Sequence, residues 1–296
     1  MSKRRVLVTG GAGFIGTNLI KQLLRRGDTV VSIDNYYTGR LENHQEGCVY
    51  IDSNVIDLES ALEKCSVLDP NWKPDIVYHL AAMARIQPSF EKPEECFEFN
   101  ATATLKVAKY CSTNSIPLVY AGTSSHHSGK FKNPYTFSKD IGEDLIKLFQ
   151  THYGLQASIT RFYNVYGPHH LRQGNYCTLI GIWESCYEEG RPFTIYGDGT
   201  KRRDFTHVND IVSALILIND NQAWGYTFEL GRGKNHSIKD IADMFECSDI
   251  QYEPNKPGEA LETLCEDTLA KEVLGWNPEE EIETYIKEYT HTNKKK

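Results

Sequence analysis

Hydrophobic and polar positions follow two different periods along the first half of the chain. Short continuous apolar runs, which are typical of buried strands, occur at residues 6–9, 29–33, 49–51, 75–80, 117–121 and 158–163. Between them, apolar residues recur at helical spacing over residues 14–26, 58–64, 93–112 and 134–153. This alternation predicts right-handed crossovers and a doubly wound parallel sheet with helices on both faces, an α/β fold.

The pattern changes after residue 167. It predicts a helix near residues 178–189, a strand at 193–196, a Gly-Asp-Gly turn, a helix at 208–218 and a strand at 226–230. Ser237 can cap the helix that follows it. We therefore expect a first domain of residues 1–166, to which residues 208–232 return. A smaller, interleaved C-terminal substrate lobe is predicted for residues 167–207 and 233–296.

Composition and charge narrow the class of protein. The chain has 296 residues, of which 40% are hydrophobic and 24% charged, as in ordinary globular proteins. A net charge of −8 argues against a nucleic-acid partner. An apolar signal region is not seen, nor a run of about 18 apolar residues, so a membrane partner is not expected. The eight cysteines form no CxxC pair, which predicts reduced thiols, no metal site and a cytoplasmic location.

The segment TGGAGFIG, residues 9–16, follows the first predicted strand and opens the first predicted helix. Its Gly11, Gly13 and Gly16 fit the GxGxxG spacing that lets a backbone turn approach a diphosphate at a helix N-terminus. The second strand ends in Asp34, where a carboxylate would bind the adenosine ribose and repel the extra phosphate of NADP. These features predict NAD as the cofactor.

Tyr135 and Lys139 lie in NPYTFSK, residues 133–139, four residues apart on one predicted helical face. Tyrosine is a poor base at neutral pH, because lowering its pKa by about 3 units takes roughly 4 kcal/mol of preference for the phenolate. A nearby lysine cation supplies part of that preference. The pair therefore indicates a tyrosine that removes a proton from a sugar hydroxyl.

Motifs along nearly the whole chain match, in order, those of one enzyme family. They are TGGAGFIG (9–16), DNYYTGR (34–40), HLAA (79–82), Asn100, YAGTSS (120–125), PYTFSK (134–139), RFYNVYGP (161–168), YGDGTKRRDFTHVNDI (196–211), KPGE (256–259) and LGW (274–276). On these motifs the chain resembles the extended short-chain dehydrogenase/reductase family, and within it the nucleotide-sugar 4-epimerases. The resemblance implies a Rossmann-type fold, NAD, a nucleotide-diphosphate-sugar substrate and a homodimer.

The resemblance also implies roles for individual residues. Catalytic roles fall on Thr123, Tyr135 and Lys139, with the Thr123 hydroxyl bonding the reacting sugar oxygen. Cofactor-binding roles fall on Gly10, Gly11, Gly13, Phe14, Ile15, Gly16, Asp34, Asn35, Thr38, Gly39, Asn54, Val55, Leu80, Ala81, Ala82, Ala84, Asn100, Tyr135, Lys139 and Tyr163. Substrate-binding roles fall on Arg85, Ser124, Ser125, Asn164, Arg203, Lys256, Glu259 and Thr263.

Some positions depart from the family pattern. Lys256 stands where a second arginine is usual, and Leu261 replaces an arginine of many relatives. Arg85 stands where relatives often carry a small residue, and it either touches the sugar or faces solvent. His126 and His127 are expected to be structural or exposed, because neighbouring residues point in different directions and the family's chemistry needs no histidine.

The reaction that the resemblance implies is NAD-dependent 4-epimerisation through a transient 4-keto sugar. A 4,6-dehydratase is the first alternative, but Ser124 and Ser125 stand where dehydratases usually carry acids, and a serine is a poor base for a carbon acid. A decarboxylase or reductase on the same scaffold and a catalytically silent nucleotide-binding protein are the others.

Overall fold

Strands and helices alternate along the chain. The computed structural model describes residues 3–65, 67–69 and 71–293. Its strands are β1 (Arg5–Thr9), β2 (Thr29–Asp34), β3 (Cys48–Asp52), β4 (Ile76–His79), β5 (Leu118–Ala121), β6 (Ala157–Phe162), β7 (Phe193–Tyr196), β8 (Arg202–Asp204), β9 (Thr227–Leu230), β10 (Asn235–Ser237) and β11 (Ile250–Glu253). Its α-helices are α1 (Phe14–Arg25), α2 (Leu58–Lys64), α3 (Ile86–Glu91), α4 (Pro93–Phe97), α5 (Ala103–Thr113), α6 (Pro134–Tyr153), α7 (Leu179–Glu189), α8 (Val208–Asp220), α9 (Ile238–Met244), α10 (Leu269–Leu274) and α11 (Ile282–Thr292).

The main sheet has seven parallel strands in the order β3-β2-β1-β4-β5-β6-β9. This confirms the predicted doubly wound α/β fold. The direction in which the strands are added reverses between β1 and β4, so the loops that follow these two strands diverge to opposite faces. Such a switch point leaves a crevice at the carboxyl ends of the strands.

The continuous apolar strands follow from burial on both faces of this sheet. Val6 and Val8 of β1 belong to a cluster with α1, α8 and α10, whereas Leu7 between them belongs to a cluster with α2, α5 and α6. A third cluster lies outside the sheet and joins α7, β7, α9 and α11. Its centre is the ring stack of Trp183 and Phe193, whose centroids lie 4.7 Å apart.

Helix α6 has a defined start and end. The side chain of Asn133 caps it by accepting the Thr136 N–H at 2.7 Å, Pro134 takes the first helical position, and Gly154 ends it with a φ of 66°. Tyr135 and Lys139 are thereby placed in its first two turns.

A buried ion-pair network holds α6 on the sheet. Arg161 of β6 donates from Nε and Nη2 to the two carboxylate oxygens of Glu143 on α6, at 2.9 and 2.6 Å. Its Nη1 donates to Glu229 of β9 at 2.9 Å. All three side chains are buried, so the two-oxygen geometry has to offset the loss of their hydration.

The structure differs from the predicted elements in a few places. The helix predicted over residues 93–112 is interrupted by a π-helical turn, Glu98–Thr102, between α4 and α5. Strands β8, β10 and β11 were not predicted because their sequences, RRD, NHS and IQYE, are mainly polar and contain no continuous apolar run. Helices α3, α10 and α11 were also missed.

The division into two lobes stays a prediction. Strand β9 lies in the main sheet beside β6, and α8 packs on the same sheet. Helix α10, which the prediction assigned to the smaller lobe, contributes Ala270 and Leu274 to the cluster of α1 and α8. None of the described helices has the length and apolar character that a membrane crossing needs.

Replacing Arg161 tests the network. Arg161→Leu should lower the free energy of unfolding by about 3–5 kcal/mol, because the buried Glu143 carboxylate loses the guanidinium that bonds both its oxygens. Arg5→Leu is the control, since Arg5 pairs with Asp75 while their side chains are 47% and 41% exposed, and it should lower the free energy of unfolding far less. Urea unfolding measures the free energy of unfolding of both variants. An equal decrease in the two variants would contradict the role assigned to burial.

Candidate active site

A cavity of about 820 Å³ lies at the carboxyl ends of β1, β2, β4, β5 and β6, at the switch point of the sheet. Most residues predicted to bind a cofactor line it. These are Gly10, Gly13, Phe14, Ile15, Gly16, Asp34, Asn35, Thr38, Asn54, Val55, Leu80, Ala81, Ala82, Ala84, Tyr135 and Lys139. Thr123, the remaining predicted catalytic residue, lines it as well.

The glycine-rich turn forms one side of the cavity. Gly10 has a φ of +73°, and a Cβ on it would lie 2.8 Å from the backbone of Ala81, so only glycine fits between β1 and the loop after β4. Gly13 is the N-cap of α1 and offers no side chain to the free N–H groups of the first turn. Those groups and the helix dipole suit a diphosphate, which makes this turn a fitting site for a dinucleotide.

Asp34 ends β2 on the same side. Its Oδ2 accepts the Ala12 N–H at 2.9 Å and its Oδ1 the Tyr36 N–H at 2.8 Å. Burial raises the pKa of Asp34, while these two backbone hydrogen bonds act to lower it. The carboxylate is thus fixed in the cavity wall next to the glycine-rich turn.

The three predicted catalytic residues lie together. Thr123 follows β5, is 5% exposed, and accepts the Ser125 N–H at 3.2 Å on its hydroxyl oxygen. Its hydroxyl is close enough to the Tyr135 hydroxyl to act on the pKa of that phenol. Lys139 lies one turn along α6, with its Nζ 4.3 Å from the centre of the Tyr120 ring. A hydroxyl, a phenol and an amine therefore meet on one wall of the cavity.

Burial affects the charges on this wall. It lowers the pKa of Lys139 to about 7, although the Glu143 carboxylate acts to raise it. Burial raises the pKa of Tyr135, while the Thr123 hydroxyl and the positive charge of Arg85 act to lower it. Arg85 is thus a second cation, besides the predicted Lys139, that is placed to act on the phenol.

The predicted substrate residues fall into two groups. Arg85, Ser124, Ser125, Asn164, Lys256 and Glu259 line the cavity. Arg203 does not, because its guanidinium donates to the carbonyl oxygens of Arg202, Leu261 and Ala260 and so holds the chain after Glu259. Thr263 lies behind Asn164, whose Nδ2 donates to its hydroxyl at 3.0 Å. The predicted direct contacts of Arg203 and Thr263 with substrate are not supported by these positions.

Two predicted cofactor residues support the wall from behind. Asn100 is fully buried in the π-helical turn, where it bonds both backbone groups of Met83 and the hydroxyl of Ser138. Its backbone carbonyl accepts from Thr104 at 2.6 Å. Tyr163 does not line the cavity and donates to Glu229 at 3.0 Å, while its neighbour Asn164, which has a φ of 29° after the end of β6, does line it.

Gly11 and Gly39 are also absent from the cavity lining. Gly11 packs against Ser32 and Ile20, and a Cβ on Gly39 would lie 2.7 Å from Asp34 Oδ1. Both glycines therefore make room for neighbouring residues of the wall.

Two tyrosines of the cavity lining contact each other, which no motif indicated. Tyr37 donates to Glu95 at 2.7 Å, and the Tyr176 hydroxyl donates to that of Tyr37 at 3.1 Å. Arg85 Nε donates to the carbonyl oxygen of Tyr176 at 2.9 Å. The loop after β2 and the segment before α7 are thus joined across the cavity by contacts between residues far apart in sequence.

His126 and His127 lie outside the cavity, as expected for structural residues. His126 contacts Asp140 and His127 contacts Glu229, each at 2.8 Å. His126, Asp140 and Glu143 are close enough to hold a metal ion, but both oxygens of Glu143 already bond Arg161. These histidines therefore belong to the network that holds α6.

Comparison with known proteins agrees with this geometry. The model of the NAD dependent epimerase/dehydratase family matches residues 6–231. A UDP-glucose 4-epimerase of Mycolicibacterium smegmatis is 28% identical over 299 residues, covering 93% of this chain and 94% of the relative. A UDP-N-acetyl-alpha-D-glucosaminuronate decarboxylase of Bacillus cytotoxicus is 30% identical over 258 residues, covering 81% and 78%. The structure of a Thermus thermophilus UDP-glucose 4-epimerase in complex with NAD matches with a TM-score of 0.86 at 27% identity, covering 98% of both chains.

The position of Asp34 generates a prediction about cofactor choice. Asp34→Ala should weaken NAD binding about 10–100-fold, as for a lost hydrogen bond to a charged group, and reduce discrimination against NADP. Asp52→Ala is the control, because Asp52 pairs with Asp34 in the sheet but is exposed. Calorimetry with both cofactors measures this, and a wild-type protein that binds NADP more tightly than NAD would contradict it.

The lowered pKa of Lys139 generates a prediction about pH. Burial of the Lys139 amine lowers the free energy of unfolding. This loss should be complete below about pH 7, where Lys139 is protonated in both the folded and the unfolded state. It should vanish above about pH 10.4, where Lys139 is neutral in both states. Relative to Lys139→Met, cofactor-stripped wild type should gain roughly 1.4 kcal/mol for each pH unit inside that window. Urea unfolding at about pH 7 and about pH 9 measures the difference.

Lys130→Met is the control for this titration. Lys130 pairs with Asp144 at 2.7 Å, and that hydrogen bond raises its pKa, so its contribution should not change over the same window. A pH-independent difference between wild type and Lys139→Met would show that Lys139 keeps an ordinary pKa.

Proposed function

The chain belongs to the NAD-dependent epimerase/dehydratase family, and from that membership we propose that it is a 4-epimerase of nucleotide-diphosphate sugars. The observation that supports this most is the meeting of Thr123, Tyr135 and Lys139 on one wall of the cavity. The glycine-rich turn and Asp34 provide the dinucleotide site beside it.

Each residue has a distinct task in this proposal. The Tyr135 hydroxyl oxygen takes the proton of the sugar's C4 hydroxyl, since it is the group of the three whose acid–base chemistry suits an alcohol. The Thr123 hydroxyl holds the same sugar oxygen and fixes its direction. NAD, when bound, accepts the hydride of C4 and returns it. Protonated Lys139, one turn along α6, favours the phenolate form of Tyr135 through its positive charge.

Inversion at C4 requires the keto sugar to present both faces in turn. The sugar must therefore rotate while the nucleotide stays attached. Small side chains favour this motion, and Ser124, Ser125 and Ala84 supply them in the cavity wall near Thr123.

A dehydratase is less well supported, because it needs a base at C5 and an acid at the C6 hydroxyl. The carboxylates among the described lining residues are Asp34, Glu91 and Glu259. Asp34 is bound by backbone N–H groups beside the glycine-rich turn, and Glu259 is paired with Lys201 at 2.9 Å. Glu91 is exposed at the last residue of α3. The residues directly after Thr123 are the neutral Ser124 and Ser125.

A decarboxylase is the second candidate. It is favoured by the similarity to the glucosaminuronate decarboxylase and by Arg85, a cation in the cavity that suits an acidic sugar. A silent nucleotide-binding protein is the weakest candidate, because all three reacting groups are present. The predicted homodimer and the predicted cytoplasmic location stay predictions.

A product assay separates these reactions. Purified protein incubated with a panel of NDP-hexoses and NDP-hexuronic acids should give an equilibrium mixture of two C4 epimers of unchanged mass, read by NMR and mass spectrometry. Loss of one water with a C6 methyl signal would indicate a dehydratase, and loss of carbon dioxide a decarboxylase. Either result would overturn the epimerase proposal.

Tyr135→Phe is the matched variant for this assay. It should lose activity on the order of 10²-fold or more, as for a missing general base, while it binds NAD almost normally. Near-normal turnover in this variant would exclude the assigned role of Tyr135.

A further inference from the structure

Arg85 is a half-buried cation in the cavity wall that has no carboxylate partner among the described residues. It is the N-cap residue of α3. Its Nε donates to the carbonyl oxygen of Tyr176 at 2.9 Å and its Nη1 to that of Ala84 at 3.0 Å. Across the described ranges, no carboxylate oxygen lies within 4.0 Å of its guanidinium. A guanidinium has five N–H donors, so three remain for a ligand.

The other charged side chains of the cavity are differently placed. Glu259 is neutralised by Lys201, and Asp34 is bound by two backbone N–H groups. The Nζ of Lys256 lies 3.7 Å from the centre of the Tyr196 ring, and the Nζ of Lys139 lies over Tyr120. Arg85 is thus the cavity cation whose planar guanidinium is held in place by backbone carbonyls and still has N–H groups that can donate to a ligand.

Arg85 lies at the reacting end of the cavity. Ser89 of α3, the helix that Arg85 caps, accepts the Tyr135 N–H on its hydroxyl oxygen at 3.1 Å, so Arg85 and Tyr135 lie on the same side of the cavity. The charge of Arg85 accordingly acts to lower the pKa of the Tyr135 phenol. Tyr135 is the residue that would contact the sugar at C4, whereas Asp34 and the glycine-rich turn mark the dinucleotide end. A group that bonds Arg85 therefore belongs to the sugar.

We propose that Arg85 binds a carboxylate carried by the sugar, so that the substrate class is the nucleotide-diphosphate hexuronic acids. A carboxylate matches the guanidinium fork with two parallel hydrogen bonds, which a neutral C6 hydroxyl cannot do. A site built around such a cation rejects a ligand that leaves the charge unpaired. This inference rests on the proposed function, because it names the substrate of the same site.

Binding measured without turnover tests the inference. In the Tyr135→Phe background with NAD present, calorimetry compares UDP-glucuronic acid, UDP-glucose and UDP, which differ at C6 or lack the sugar. We expect UDP-glucuronic acid to bind at least about tenfold more tightly than UDP-glucose, as for one charge-assisted pair. Equal binding of the two sugars would overturn the inference.

Variants of Arg85 locate the interaction. Arg85→Gln keeps a polar side chain without charge, and it should weaken UDP-glucuronic acid about 10–100-fold while changing UDP-glucose less than about threefold. Arg85→Lys keeps the charge and should retain part of the preference. An equal loss of affinity for UDP, UDP-glucose and UDP-glucuronic acid would show that Arg85 binds the diphosphate, and would overturn the inference. Unchanged NAD binding shows that each variant is folded.

Lys256→Gln is the matched control, because Lys256 is another cation of the cavity lining. It should weaken both UDP-sugars by the same factor. A loss of the acid preference in Lys256→Gln that is missing in Arg85→Gln would overturn the inference. The two proposals can fail separately. If the preference for UDP-glucuronic acid depends on Arg85 but the wild-type protein forms no epimer, the proposed function fails and this inference stands. If the wild-type protein epimerises UDP-glucose and does not bind UDP-glucuronic acid more tightly, this inference fails and the proposed function stands.

Discussion

The buried pairing of Arg161 with Glu143 is the interaction on which the site depends most. Tyr135, Lys139 and Glu143 are four residues apart on α6, so they lie along one face of the helix. Anchoring Glu143 to β6 therefore fixes the rotation of the helix about its axis, and with it the direction of the other two side chains. The same face packs closely on Tyr120, whose ring lies below Lys139 and whose hydroxyl occupies the space that a side chain on Gly142 would fill. The wall that carries Thr123, Tyr135 and Lys139 is thus placed by a contact about two helical turns away from Tyr135.

Local sequence was sufficient to predict the features of the molecule that depend on nearby residues. The parallel sheet follows from apolar runs such as that of β1, because strands covered on both faces must be apolar throughout. The start of α6 follows from Asn133 and Pro134, and the dinucleotide turn from the glycine spacing and Asp34. Each of these signals lies within about one element of the structure that it specifies, so no long-range contact has to be known.

What the sequence did not show depends on contacts between distant residues. Arg203 has the residue type expected of a diphosphate ligand, but the carbonyls of the chain after Glu259 bond its guanidinium instead. Tyr163 matches a motif position, yet Glu229 of another strand accepts its hydroxyl and holds it away from the cavity. The contact of Tyr37 with Tyr176 joins residues 139 positions apart and belongs to no local pattern. A motif gives the residue type at a position, whereas the direction of the side chain depends on partners that only the fold brings together.

The electrostatics of the cavity connect stability with ligand choice. The chain has a net charge of −8, yet among the described residues Lys139, Arg85 and Lys256 of the cavity lining form no ion pair. Burial makes this arrangement unfavourable for the protein by itself, and the lowered pKa of Lys139 expresses that cost. An anionic ligand offsets the cost when it binds, so it stabilises the folded protein by more than its direct contacts alone would suggest. A neutral molecule of the same shape leaves these cations unpaired, so we expect the residues that destabilise the site to be those that favour a negatively charged ligand.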